Sequence, residues 1–427
     1  MNIDHQALYR PITKWTTRLS AGSFKESIAH ALHVAVSEVP GPVHVGLPSD
    51  IDGEMLGAGS LVDSITKAPV PSPDPVLLEK AAILIKKAKR PVLAIGLTAA
   101  RLGLQNEIRQ LAGKSNIPVL LTPMAKGLVP ETHPLYAGVI FHAQSNLVAS
   151  VYRNADLVIG IGYDSVEFNY ESWMPNVPLI HIDTQPVDIP PEYDVACEIT
   201  GDLRQSVAYL NSLSLPAYSW DAGQINENKD KVFQALMTKN GSFGPSDAIM
   251  ILQEVMPEDG IITGDVGAHI HLLGQLWRVN GPNRFIMTNG WSSMGFGIPS
   301  AIAARLCRPQ STVVGITGDG GFLMNCGELL TARRLGINVV ILVLCDRSLS
   351  LIEVKQNWKN VPLYGTGLYE GEYFAADKFL GVPVLTVHDA GGMKEALYTA
   401  FSEAGPVIIE AFVDGAGYSN LITRSYK

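Results

Sequence analysis

Paired cysteines, basic runs and apolar stretches of membrane length are all missing from this sequence, and each absence removes a class of function. The longest uninterrupted apolar run, Val339 to Cys345, falls far short of the roughly 20 residues a bilayer span needs. No membrane partner is therefore expected. The four cysteines, Cys197, Cys307, Cys326 and Cys345, are scattered without a CxxC pair or metal-ligand spacing, which indicates free thiols in a reducing compartment. The net charge is −9 and no block of lysine or arginine stands out. That leaves no electrostatic footprint for nucleic acid. The amino terminus, MNIDHQALYRPITKW, lacks the charged-then-apolar layout of a secretory leader. A cytoplasmic protein is expected.

What the chain does have is apolar content: 47% of its 427 residues are hydrophobic and 17% charged, enough for two or three well-packed domains. Apolar runs of strand length alternate with helical periodicity, which predicts an α/β fold of consecutive parallel-sheet domains. Residues 1–55 read as a helix over Phe24–Ser37 and a strand over Val43–Leu47, the closing unit of a sheet with too little chain before it to supply other strands. Four prolines in Ala68–Pro75 mark a semi-rigid linker. Residues 75–213 alternate helix and strand, Ser214–Asn240 reads as a connector with little pattern, and residues 244–427 form a third α/β block. Pro245-Ser246-Asp247 opens it as a helix cap.

Several motifs fail on inspection. Gly113-Lys114-Ser115 resembles the end of a triphosphate loop, but Ile108 stands where that loop needs glycine. Gly160-x-Gly162 and Gly318-x-Gly320 each meet a non-glycine, Ser165 and Leu323, at the third position of a dinucleotide fingerprint. His269-Ile-His271 has no third ligand at metal spacing and reads as two ordinary histidines. The backbone before it, Gly264 to His269, follows a strand and opens a helix, so its amides are placed to face an anion.

One stretch carries more. A strand ending at Thr317 breaks into a four-residue turn, Gly318-Asp319-Gly320-Gly321. A helix follows from about Asn325 to Leu335, stopped by Gly336, and an apolar strand then ends at Cys345-Asp346-Arg347-Ser348. The two strands should be parallel neighbours, with Asp319 and Asp346 just past their carboxyl ends, where open α/β sheets bind ligands. Two carboxylates held together are costly unless a cation neutralises them, and Mg2+, which takes oxygen ligands and bridges phosphates, suits the pair.

These residues resemble the thiamine-diphosphate-dependent enzymes, whose cofactor motif is GDG, a spacer of this length and an Asn-Asn pair. The resemblance implies Mg2+ held by Asp319, Asp346 and the Ser348 carbonyl, although Cys345-Asp346 replaces Asn-Asn here. It places Gly318, Gly320, Gly321, Gly267, Ala268 and His269 around the diphosphate. In Asn289–Pro299, Met294 would bend the cofactor and the Ser292 carbonyl, beside Ser293, would accept from its 4′-amino group. Residues 126–134 resemble the family's central domain.

The similarity covers the whole chain and looks closest to acetolactate synthase-like members, with Pro11–Trp15 and Pro40–Val43 resembling the end of their pyrimidine-binding domain. It implies a carboligase or decarboxylase of 2-oxo acids that works as a homo-oligomer or with a separate pyrimidine-domain subunit. No residue of 1–55 matches the motif of the family's glutamate. The expectation is therefore a chain impaired by itself, with a non-catalytic cofactor-binding remnant, or one subunit of a split enzyme, as the alternative. The segment Gly162–Glu167 departs from the family's flavin-contacting pattern, which puts FAD binding in doubt.

Overall fold

A computed structural model describes residues 3–51, 53, 65, 67–140, 143–163, 167, 176–186, 194–239, 241–279, 281–288, 290–369 and 377–421. The sequence readings at Ser165 and Asn289 lie outside them. Near the amino terminus, α1 (His5–Tyr9), β1 (Trp15–Arg18), α2 (Phe24–Val36) and β2 (Val43–Gly46) form a small unit in which β1 and β2 pair in parallel.

The middle block starts with α3 (Pro75–Lys87), β3 (Pro91–Ile95), α4 (Leu97–Arg101), α5 (Gln105–Ser115), β4 (Val119–Leu121) and β5 (Tyr136–Val139). It continues through α6 (Ser145–Tyr152), β6 (Leu157–Ile161), β7 (Leu179–Asp183), β8 (Val195–Thr200) and α7 (Leu203–Ser212). Its strands pair in parallel in the order β5-β4-β3-β6-β7-β8. Helix α3 begins where the Asp74 carboxylate accepts from the Val76 amide at 2.8 Å and Pro75 fills the first helical position, a start that leaves few orphan donors.

Ser214–Asn240, which the sequence suggests is a connector with little pattern, holds α8 (Ala222–Leu236) over more than half of its length. Its inward stripe is Ile225, Asn228, Val232 and Leu236. That stripe is narrow and has an asparagine in it, so the apolar period is hard to see. Asn228 earns its place by donating to the Leu147 carbonyl at 2.7 Å.

The third block comprises α9 (Pro245–Val255), β9 (Ile261–Gly264), α10 (Ala268–Leu276), β10 (Phe285–Met287), α11 (Gly297–Cys307), β11 (Val313–Gly318) and α12 (Asp319–Asn325). After it come α13 (Leu329–Leu335), β12 (Val340–Cys345), α14 (Ser350–Trp358), β13 (Lys378–Phe379), β14 (Val382–Val387), α15 (Ala390–Ser402) and β15 (Val407–Phe412). The strand order is β10-β9-β11-β12-β15-β14-β13, and all pairs are parallel except β13 with β14. Strand β12 is buried along its whole length, as a central strand covered on both faces must be. The cap of α9 falls one residue earlier than the sequence suggests: Gly244 caps it, and Asp247 reaches back to accept from the Gly244 amide at 2.8 Å.

The strand–helix–strand unit forms with β11 and β12 in register from Val314↔Val340 to Gly318↔Leu344. Its turn does not. Residues 319–321 are already the first turn of α12, and the helix expected from Asn325 is broken by a 3-10 turn at Cys326–Glu328 before α13 resumes. Glycines disfavour helices, but here they are needed for clearance. A Cβ on Gly321 would stand 2.5 Å from Asp265 Oδ2 and 2.6 Å from Thr317 Oγ1. Gly336, at φ +61, ends α13 as expected.

Candidate functional site

The carboxyl ends of β9, β11 and β12 open on one side of the sheet, and their loops enclose a cleft of about 120 Å3. Every residue that the sequence nominates lines it except Ser292 and Ser293: Gly267, Ala268, His269, Met294, Gly318, Asp319, Gly320, Gly321, Asp346 and Ser348. Ser293 is exposed, while Ser292 is partly buried with φ +50, its hydroxyl donating to the Gly290 carbonyl at 3.4 Å.

The two acids are fixed by backbone amides. Asp319 accepts from the Gly320 amide at 2.8 Å with one oxygen and from the Arg347 amide at 2.7 Å with the other. Asp346 accepts from the Ser348 amide at 3.2 Å and from the Ser350 hydroxyl. Burial, and then the neighbouring Asp319 carboxylate, push the Asp346 carboxyl up to about 7, against the pull of the Ser350 hydroxyl. A buried pair that resists double ionisation is what a hard cation would relieve, so the two carboxylates fit a group such as Mg2+.

Glycines keep the cleft open. A Cβ on Gly320 would meet Leu349 Cδ2 at 2.8 Å and Met294 Cε at 3.2 Å, which places Met294 opposite α12. His269, in the first turn of α10, is almost fully buried, and its Nε2 has no hydrogen-bond partner among the described residues. Burial drives its pKa down to about 4, although the Asp265 carboxylate and backbone favour the charged ring. A buried nitrogen without a partner at the cleft wall is a group that a bound ligand would satisfy. His271, two residues on, is buried away from the cleft lining.

Three participants were not nominated. Asp265 is completely buried. Its Oδ1 accepts from the Val266 and Phe296 amides at 2.7 and 3.2 Å, and its Oδ2 accepts from the Gly295 amide at 3.1 Å and the Thr317 hydroxyl at 2.8 Å. It thereby ties the turn that carries Met294 to the ends of β9 and β11. Asn325 adds a bond from Nδ2 to the Gly295 carbonyl at 2.8 Å. Tyr418 lines the floor beside Asp346, and burial there raises its phenol well above the ordinary value. Asp265 sits in a glycine-flanked stretch that already suggested an anion site; nothing in the sequence marks Tyr418.

In the middle block, part of the segment that departs from the family's flavin-contacting pattern, residues 164–166, lies outside the described residues. Glu167 is described, and its Oε1 accepts from the Leu97 amide at 3.0 Å, at the start of α4.

Residues 78–210 match the family described as thiamine pyrophosphate enzyme, central domain, and residues 265–411 match thiamine pyrophosphate enzyme, C-terminal TPP binding domain. A probable acetolactate synthase large subunit of Methanocaldococcus jannaschii is 30% identical over 97% of this chain and 74% of its own length. A protein of the same description from Methanococcus aeolicus is 28% identical over 100% of this chain and 76% of its own. The acetolactate synthase isozyme 1 large subunit of Escherichia coli is 26% identical over 96% and 74%.

Proposed function

This chain belongs to the thiamine pyrophosphate enzyme family, and we propose that it is an acetolactate synthase-like carboligase or decarboxylase of 2-oxo acids dependent on thiamine diphosphate and Mg2+. The observation that carries this reading is the meeting of Asp319 and Asp346 at adjoining strand ends, facing Gly267–His269 and Met294 across one cleft. Asp319, Asp346 and the Ser348 carbonyl would hold the metal, and His269 and the Gly267–Ala268 backbone would take the diphosphate. When bound, thiamine diphosphate supplies the nucleophilic carbon and the electron sink that loss of carbon dioxide from a 2-oxo acid requires. The chain's part is to anchor the diphosphate, press Met294 against the cofactor's bend and keep water out of an apolar-walled cleft.

Three units follow from this reading: 1–55 as part of a pyrimidine-binding domain, 75–213 as the central domain and 244–427 as the diphosphate-binding domain. Exposed apolar side chains near the cleft and α14, including Met324, Ile352 and Tyr364, support a homo-oligomer. No helix among the described residues is long and apolar enough to cross a membrane.

Calorimetry with thiamine diphosphate is the test. Binding is expected to require Mg2+ and to vanish in Asp319→Ala; metal-independent binding, or binding that survives the substitution, overturns the metal assignment. Pyruvate turnover with thiamine diphosphate and Mg2+ tests the catalytic part of the reading, and cofactor binding without turnover would overturn it.

A further inference from the structure

A second cavity, of about 600 Å3, lies where edge strand β5, helix α8 and the carboxyl end of α10 converge. That volume is in the range of small-molecule pockets, which favour such junctions. Its charge is unbalanced once commitments are followed. Glu131 is engaged on both oxygens, Oε1 with the fully buried Lys126 ammonium at 2.6 Å and Oε2 with the Val279 amide at 2.9 Å.

Lys229, on α8, is half-buried and lies 5.8 Å from the Tyr136 ring, with only long bonds to the Glu131 and His133 carbonyls at 3.2 and 3.4 Å. Burial lowers its pKa and so does Arg278, against the pull of the exposed Asp230 and of Glu131. The Arg278 guanidinium has no hydrogen bond or ion pair among the described residues. Two cations thus share a wall whose remaining side chains are mixed: Val148, Val232 and Phe233 are apolar, while Asp230, Asn226 and Gln234 are polar, with Asp230 the one acid not engaged as Glu131 is.

We propose that this cavity binds a small organic carboxylate, its anionic group between Lys229 and Arg278 and its hydrocarbon body against Phe233 and the two valines. The site is separate from the cofactor cleft and does not depend on the reading of that cleft. Helix α10 touches both, since Ala268 and His269 line the cleft while Gln275 and Leu276 line this cavity. The separation is about 10 Å at 1.5 Å per residue.

Titration calorimetry of the full chain with benzoate tests the site, with benzamide as the neutral isostere. Benzoate is expected to bind saturably and benzamide not. Arg278→Gln and Lys229→Met should each weaken benzoate about tenfold, the loss of one charge-assisted contact, while Asp319→Asn leaves it unchanged. Because Arg278 is exposed and unpaired, R278Q is decisive even where K229M fails to fold. Absence of saturable binding, equal binding of benzamide, wild-type affinity in R278Q, or a changed affinity in D319N overturns the proposal. Tighter binding in D319N would show that benzoate enters the cofactor cleft instead, where the Asp319 carboxylate repels it.

Discussion

Replacing Asp265 should loosen one turn of the chain by an amount that can be worked from its hydrogen bonds. Asparagine keeps the shape of the side chain and one carbonyl oxygen, so with that oxygen in place of Oδ1 the Val266 and Phe296 amides keep their acceptor. The amide nitrogen then replaces Oδ2, which accepts from the Thr317 hydroxyl and the Gly295 amide. The hydroxyl can rotate to accept, but the Gly295 N–H cannot, and a buried donor left unpaired costs about 1–3 kcal/mol. Where exchange follows local opening, with about 1.4 kcal/mol per tenfold, the Gly295 amide should exchange about 5- to 150-fold faster in D265N. Alanine removes both oxygens and orphans the Phe296 and Val266 amides as well, so in D265A the acceleration should be larger and extend to Phe296. Hydrogen–deuterium exchange of peptides covering residues 290–300, at one pH and temperature, reads this directly. Thiamine diphosphate affinity should fall in the same order, because Met294 rides on the turn. Wild-type exchange of this segment in both variants would show that the carboxylate does not hold it.

Other substitutions test other parts of the structure. Histidine 269 has a folded pKa of about 4 against an ordinary 6.5, so between these values the unfolded chain binds more protons and stability should rise with pH, by up to about 3 kcal/mol. Asp346, raised to about 7, contributes the opposite slope over the same window, so the signal is a difference. Urea midpoints of the cofactor-free chain from pH 4 to 7 should rise less, or fall more, with pH in His269→Asn than in the wild type. Gly162 has φ +58, and a Cβ there would stand 2.4 Å from the Ala99 backbone nitrogen, whereas Gly113 on α5 has open space around it. G162A should therefore cost about 2–4 kcal/mol and G113A should gain about 0.5–1 kcal/mol; midpoints of the same sign and size would refute the clearance argument. The Lys126 ammonium is fully buried against Glu131 at 2.6 Å. K126M should lose about 3–5 kcal/mol by stranding the carboxylate, and adding E131Q should recover part of it in a double-mutant cycle.

The sheet ends were legible in the sequence because they are written in local runs. Val339–Leu344 has no polar residue, Gly336 stops the helix before it, and Asp319 and Asp346 follow their strands immediately. The turn that became α12 was misread because glycine carries two meanings. At Gly336 it supplies a positive φ, but at Gly320 and Gly321 it supplies room, against Met294 in one case and Asp265 in the other. Only the fold distinguishes these, since the atoms that would collide come from elsewhere in the chain. Asp265 was illegible as a clamp for the same reason: its partners at Gly295, Phe296 and Thr317 lie 30, 31 and 52 residues away. The residues that would touch the cofactor belong to short motifs, whereas those that hold the motifs in place are bound by long-range contacts. In the proposed reading, the cleft's geometry depends on Asp265 as its cation site depends on Asp319 and Asp346.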